Sequence, residues 1–93
     1  MEYVLISHEV EDYTAWKKIF DEAATIRKNA GEISYQVLKY PEDVNKIVLF
    51  SNWSSIDNAK AFFESHELVK IRKEAGVKSP EFIYLEQLES GVL

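Results

Sequence analysis

The sequence predicts an α+β domain of the ferredoxin-like type, βαββαβ in order, with a four-stranded antiparallel sheet and both helices on one side of it. Three observations predict it. The apolar spacing switches between a period of two and a period of three to four in that order along the chain. Sliding the chain so that Ile26 falls on Ile71 lays Ile26-Arg27-Lys28-Asn29-Ala30-Gly31 on Ile71-Arg72-Lys73-Glu74-Ala75-Gly76, and Asp12 on Asp57, so the two halves are alike. Finally, the strands are apolar on both faces, whereas helices on one side can cover only one of them.

Tyr3 to Val10 is rich in β-branched and apolar residues and reads as the first strand. Asp12 is a good N-cap for the helix that follows, whose stripe is Tyr13, Trp16, Phe20, Ala23, Ala24 and Arg27, widened by Ile19 and Ile26. Arg27 and Lys28 fall in its last turn, where cations complement the helix dipole, and Gly31 supplies the stop. Ile33 to Tyr40 and Lys46 to Trp53 are strands joined by Pro-Glu-Asp-Val-Asn, a linker that makes them a hairpin. Matching them across it sets Leu38 opposite Val48 and Val37 opposite Leu49.

Ser54 with Asp57 three residues on resembles a capping box for the second helix, which carries Ile56, Ala59, Phe62, Phe63 and Val69 and ends at Gly76. Ser65 is placed to cap a second segment, with a kink near His66. Pro80 opens the last strand, Glu81 to Leu88.

Ninety-three residues make one domain, spanning residues 1–93, small enough to gain from association. Cysteine is absent, so neither disulfides nor thiolate chemistry contribute. The net charge is −5 and the basic residues form no stripe, which argues against a nucleic-acid partner. The amino terminus lacks a basic region followed by a long apolar stretch, and no run approaches the ~20 apolar residues of a membrane span. The expectation is a cytoplasmic protein with no membrane partner.

Alternation divides the sheet into two sets. Tyr3, Leu5, Leu38, Val48, Phe50, Ile83 and Leu85 make one face, almost purely apolar, which is expected to lie under the helices. Val4, Ile6, His8, Tyr35, Val37, Leu49, Ser51, Trp53, Phe82, Tyr84 and Glu86 make the other. Its mixture of apolar bulk and a few polar groups is that of a ligand cavity, and it is expected to meet a second copy of the chain.

The element order, Asp12-Tyr13-x-x-Trp16, Asn52-Trp53-Ser54-Ser55 and Ala75-Gly76-Val77-x-x-Pro80-Glu81 resemble the dimeric α+β barrel superfamily, and within it small proteins related to antibiotic biosynthesis monooxygenases. The resemblance spans nearly the whole chain. It implies a homodimer in which two sheets meet face to face as a barrel, with the helices outside and a pocket in each protomer. The quinone-forming, cofactor-free members use an asparagine four residues before the tryptophan and a tyrosine six after it; Leu49 and Ala59 stand there, and only Trp53 agrees. The haem-degrading members' asparagine, tryptophan and axial histidine correspond to Ser7, Phe62 and Arg72. No cofactor is therefore expected.

His8 is the candidate catalytic acid or base, since a histidine in an aromatic-lined cavity can move a proton on a phenolic or polyketide-like substrate. Tyr35, Ser51, Trp53, Phe82, Tyr84 and Glu86 are the candidate ligand-binding residues. Trp53 and the two tyrosines can equally serve packing, and Glu86 can equally be an exposed strand-end charge. His66 is expected at the surface, and the Lys and Arg side chains near the helix ends in solvent. Two histidines build no metal site. The expected function is a small-molecule-binding barrel, a cofactor-independent monooxygenase or cyclase, with a non-catalytic ligand-binding or assembly module as the rival.

Overall fold

A computed structural model describes residues 1–93. The elements are β1 (Glu2–Val10), α1 (Tyr13–Glu22), α2 (Ala24–Ala30), β2 (Glu32–Tyr40), β3 (Asp43–Trp53), α3 (Ile56–Phe63), α4 (His66–Glu74) and β4 (Val77–Glu86). The sheet runs β2-β3-β1-β4 with every neighbouring pair antiparallel, which is the ferredoxin-like order. Leu38 pairs with Val48 and Val37 with Leu49, as the hairpin match requires.

Each expected helix is two segments. Asp12 caps α1 by accepting the Ala15 N–H at 3.1 Å, and the helix breaks at Ala23, beyond which Arg27 Nη2 donates to the Phe20 carbonyl at 3.2 Å. Gly31 ends α2 at φ 124°, and a Cβ there would lie 2.5 Å from Ser54 Oγ, so both conformation and space call for glycine. The cap of α3 is Ser55, one residue later than the expected Ser54: Ser55 Oγ accepts the Asn58 N–H, while Ser54 Oγ takes the Asn58 side-chain amide. Ser65 caps α4 through the Leu68 N–H, which makes the expected kink.

Two strands are longer at their starts than the sequence suggests. A register shift beyond Lys39 lets β3 reach back to Asp43. In β4, Lys78 and Glu81 pair with Glu9 and Ser7, so two residues, Ser79 and Pro80, stand against His8 alone. This is a β-bulge, with Ser79 at φ 48°. Pro80 is tolerated inside β4 because β4 is an edge strand, so the proline does not mark the strand's beginning.

The division of the sheet into two faces is as alternation requires, but the helices lie on the opposite face from the one expected. Val4, Ile6, His8, Ile47, Leu49, Ser51 and Trp53 are buried with Trp16, Phe20, Ala59, Phe63 and Leu68. Tyr3, Leu5, Val48 and Phe50 are only half-buried, and Leu38, Ile83 and Leu85 remain 48%, 39% and 38% exposed. Two of the polar groups that argued against burial satisfy each other: Trp53 Nε1 donates to Ser51 Oγ at 2.9 Å. A paired indole and hydroxyl enter a core at little cost.

Candidate functional site

The chemistry gathers where β1 passes beneath α1 and α4. A cavity of about 70 Å³ lies between the sheet and the helices, and twelve of its sixteen lining residues are hydrophobic. His8 from β1, Trp16 and Phe20 from α1, and Leu68 and Arg72 from α4 all line it. Pro80 closes the side opened by the bulge. An engineered cavity of ~150 Å³ holds benzene, so a ring-sized guest here must push lining side chains outward. Two larger hollows, about 290 and 510 Å³, are more open clefts on the surface, each lined by seven residues, one and three of them hydrophobic.

His8 is 7% exposed, and neither ring nitrogen has a hydrogen-bond partner. Its ring lies 5.5 Å from that of Trp16, which in turn stacks on Phe20 at 4.9 Å. Burial lowers the His8 pKa from 6.5 to about 4, against a weaker opposing pull from the Ile6 backbone. The imidazole is therefore neutral at physiological pH, one nitrogen an acceptor and the other a donor, and the Ile6 backbone bears on the ring without meeting hydrogen-bond geometry. Buried polar atoms are rarely left unpaired, so two on one ring mark a place where a water or a guest would complete the bonding.

Arg27 and Arg72 are the cavity's other polar side chains, and neither is solvated as expected. Arg27 is 6% exposed; it forms an ion pair with Glu32 and sets its guanidinium 3.7 Å above the Phe20 ring. Arg72 is half-buried, donates to the Phe63 carbonyl at 2.7 Å and lies over the Phe82 ring at 5.1 Å. The positions were legible, since Arg27 continues the Trp16–Phe20–Ala23 stripe and Arg72 the stripe of α4. What misled was charge at a helix end, which ordinarily points to water.

Over residues 3–74 the sequence matches the antibiotic biosynthesis monooxygenase family. The chain belongs to that family. No match is found among curated proteins. Solved structures share the fold of this family member at low sequence identity. SnoaB, a cofactor-independent oxygenase from Streptomyces nogalater, superposes with a TM-score of 0.76 at 12% identity, covering 96% of this chain and 95% of its own. A protein of Nitrosomonas europaea assigned to the antibiotic biosynthesis monooxygenases gives 0.72 at 15%, with 96% and 100% covered. One of Deinococcus radiodurans with the same assignment gives 0.71 at 12%, with 100% and 98% covered.

Within this monooxygenase-family fold the seven sequence-derived site residues do not converge on one point. His8 alone lines the cavity. Trp53 is packed between Phe62 and Phe63 at 5.5 and 5.4 Å, with Ser51 wholly buried beneath its indole N–H. Phe82 is half-buried against Phe63 at 5.4 Å and bears on the cavity through Arg72. Tyr84 is half-buried beside Lys60, and burial, aided by Glu64, raises its phenol pKa. Tyr35, 47% exposed, touches Phe20 edge-on at 5.2 Å and lines the surface cleft beside Glu32. Glu86 is exposed, as is His66. No helix is long and apolar enough to cross a membrane.

Proposed function

We propose that the protein is a homodimeric, cofactor-independent oxygenase or cyclase that holds a small aromatic or polyketide-like molecule against His8. The observation that carries this reading is the neutral, unbonded imidazole of His8 in an apolar cavity. Membership in the monooxygenase family and the fold shared with SnoaB support it. Of the other expected ligand-binding residues, Phe82 backs the cavity through Arg72, Ser51 and Trp53 support the core behind it without contacting the guest, and Tyr35, Tyr84 and Glu86 are assigned no contact with a guest beside His8.

His8 takes a proton from an activated C–H or phenolic O–H of the guest. An imidazole with a pKa of about 4 is a weak base toward water. It becomes a stronger one as the substrate anion forms beside it, because an adjacent negative charge favours the imidazolium. In the oxygenase reaction a ring CH₂ and O₂ become C=O and H₂O. Dioxygen accepts the electrons, and His8 supplies the first deprotonation.

The second copy covers the open face. Leu38, Ile83 and Leu85, with the Tyr3–Phe50 stack at 4.9 Å, form an apolar surface of a kind monomers rarely expose. A two-fold axis lets that one surface serve both partners. The protein acts in the cytoplasm in this reading.

The test is aerobic turnover of anthrone to anthraquinone, followed by absorbance, with wild type and His8→Gln. A loss of about a hundredfold or more in kcat on substitution is expected for a general base. Equal turnover by both proteins would remove His8 from the chemistry, and a wild type that binds anthrone without turning it over would leave a ligand-binding module.

A further inference from the structure

The cavity's electrostatics are opposite to those of the chain. The protein carries 16 Asp and Glu against 11 Lys and Arg, yet among the residues lining the cavity there are two arginines and no carboxylate. The two arginines differ. Arg27 is neutralised by Glu32, so the pair brings no net charge to the wall. No carboxylate lies within 4.0 Å of Arg72; its partners are the Phe63 carbonyl and the face of Phe82. Both contacts orient the guanidinium and neither cancels its charge.

An unpaired guanidinium partly withdrawn from water is costly unless something repays the lost solvation. Desolvation lowers the Arg72 pKa, opposed by Tyr84, as expected for a cation short of a counter-charge. Guanidinium offers a planar fork of donors that suits an anionic oxygen group, and only one of its N–H groups is committed to the protein. His8, on the same cavity, is neutral and adds no charge to the wall.

We propose that Arg72 is the charge-recognition group of the cavity, so that the molecule held beside His8 has an apolar body and one anionic oxygen group, a carboxylate or an ionised phenol. This rests on the cavity being the ligand site. Arg72 selects the anion, the aromatic wall of Trp16 and Phe20 takes the apolar body, and the unbonded imidazole faces the same guest.

The experiment compares matched anionic and neutral probes near neutral pH, benzoate against benzamide and pentafluorophenolate against pentafluorobenzene. Binding is read by NMR on the Trp16 indole and His8 ring signals, which report on the cavity itself. Wild type is expected to bind the anion of at least one pair about tenfold more tightly than its neutral partner, the scale of one charge-assisted hydrogen bond. The pair that shows the preference distinguishes carboxylate from phenolate. Arg72→Gln should abolish the preference and Arg72→Lys should keep part of it. Equal affinity for both members of each pair in wild type overturns the proposal even if the variants fail to fold. Neutral probes that still move the His8 and Trp16 signals would leave the cavity as a binding site and remove only its charge selectivity. No response to any probe would remove both.

Discussion

Arg27 and Glu32 face each other across the Gly31 turn and form a buried ion pair that ties the end of α2 to the start of β2. Arg27 Nη2 also holds the Phe20 carbonyl, and its guanidinium sits between the Phe20 and Tyr35 rings at 3.7 and 5.0 Å. Burial raises the Glu32 pKa, and Arg27 opposes the rise. A pair withdrawn from water attracts strongly and costs heavily to desolvate, so removing one member is worse than removing both. Glu32→Gln is expected to cost about 3 kcal/mol in urea unfolding, whereas Arg27→Met with Glu32→Leu should recover most of that loss. Equal costs for the single and double variants would show that the pair is not energetically buried.

The lowered pKa of His8 makes stability depend on pH with a definite sign. The unfolded chain binds a proton near pH 6.5 and the folded chain only near 4. Between those values the unfolded state holds more protons, so this group's contribution is intact above pH 6.5 and is lost as pH falls toward 4. The shift from 6.5 to about 4 corresponds to roughly 3–4 kcal/mol when complete. Comparing denaturant unfolding of wild type and His8→Leu across this window isolates the effect from the carboxylates. The wild type should weaken by more than the variant as pH falls. Parallel curves would contradict the burial of an unbonded ring.

Ser51 is predicted to matter for packing more than for ligand contact. Its hydroxyl accepts the Trp53 indole N–H at 2.9 Å, and both residues are buried. Ser51→Ala leaves that donor unpaired and should cost about 1–3 kcal/mol. Affinity for a guest beside His8 should change little. A large loss of affinity with stability unchanged would move Ser51 into the site.

The open sheet face makes a separate prediction about assembly. Leu38 on β2 and Ile83 on β4 project from the face the helices leave bare. Sedimentation of the wild type at micromolar concentration should give a dimer. Leu38→Lys with Ile83→Lys should give a folded monomer with an unchanged far-ultraviolet spectrum. A wild-type monomer would contradict the proposed association.

Strand order, the hairpin register at Leu38–Val48, the Asp12 cap and the break at Ser65 were legible because each depends on local pattern or on a side chain acting within a few residues. The break at Ala23 was not, since neither glycine nor proline marks it. The face beneath the helices was not either. Alternation separates two sets of side chains without saying which meets the helices, and the more polar set won because Ser51 and Trp53 satisfy each other and His8 is buried neutral. His8 was found as a candidate from residue type and place on its strand. Arg27 and Arg72 were missed because their burial depends on distant partners, Glu32 and Phe20 for one, Phe63 and Phe82 for the other.

The proton equilibrium of the His8 ring is the most direct test, because every functional statement above depends on a desolvated imidazole held open for a guest. Nitrogen-15 NMR of the imidazole across acidic to neutral pH should show the ring neutral until the pH approaches about 4, and its signals should shift when a ligand enters the cavity. A ring that titrates near its ordinary 6.5 and ignores added ligand would show that His8 is bathed in water, and the cavity would lose its chemistry.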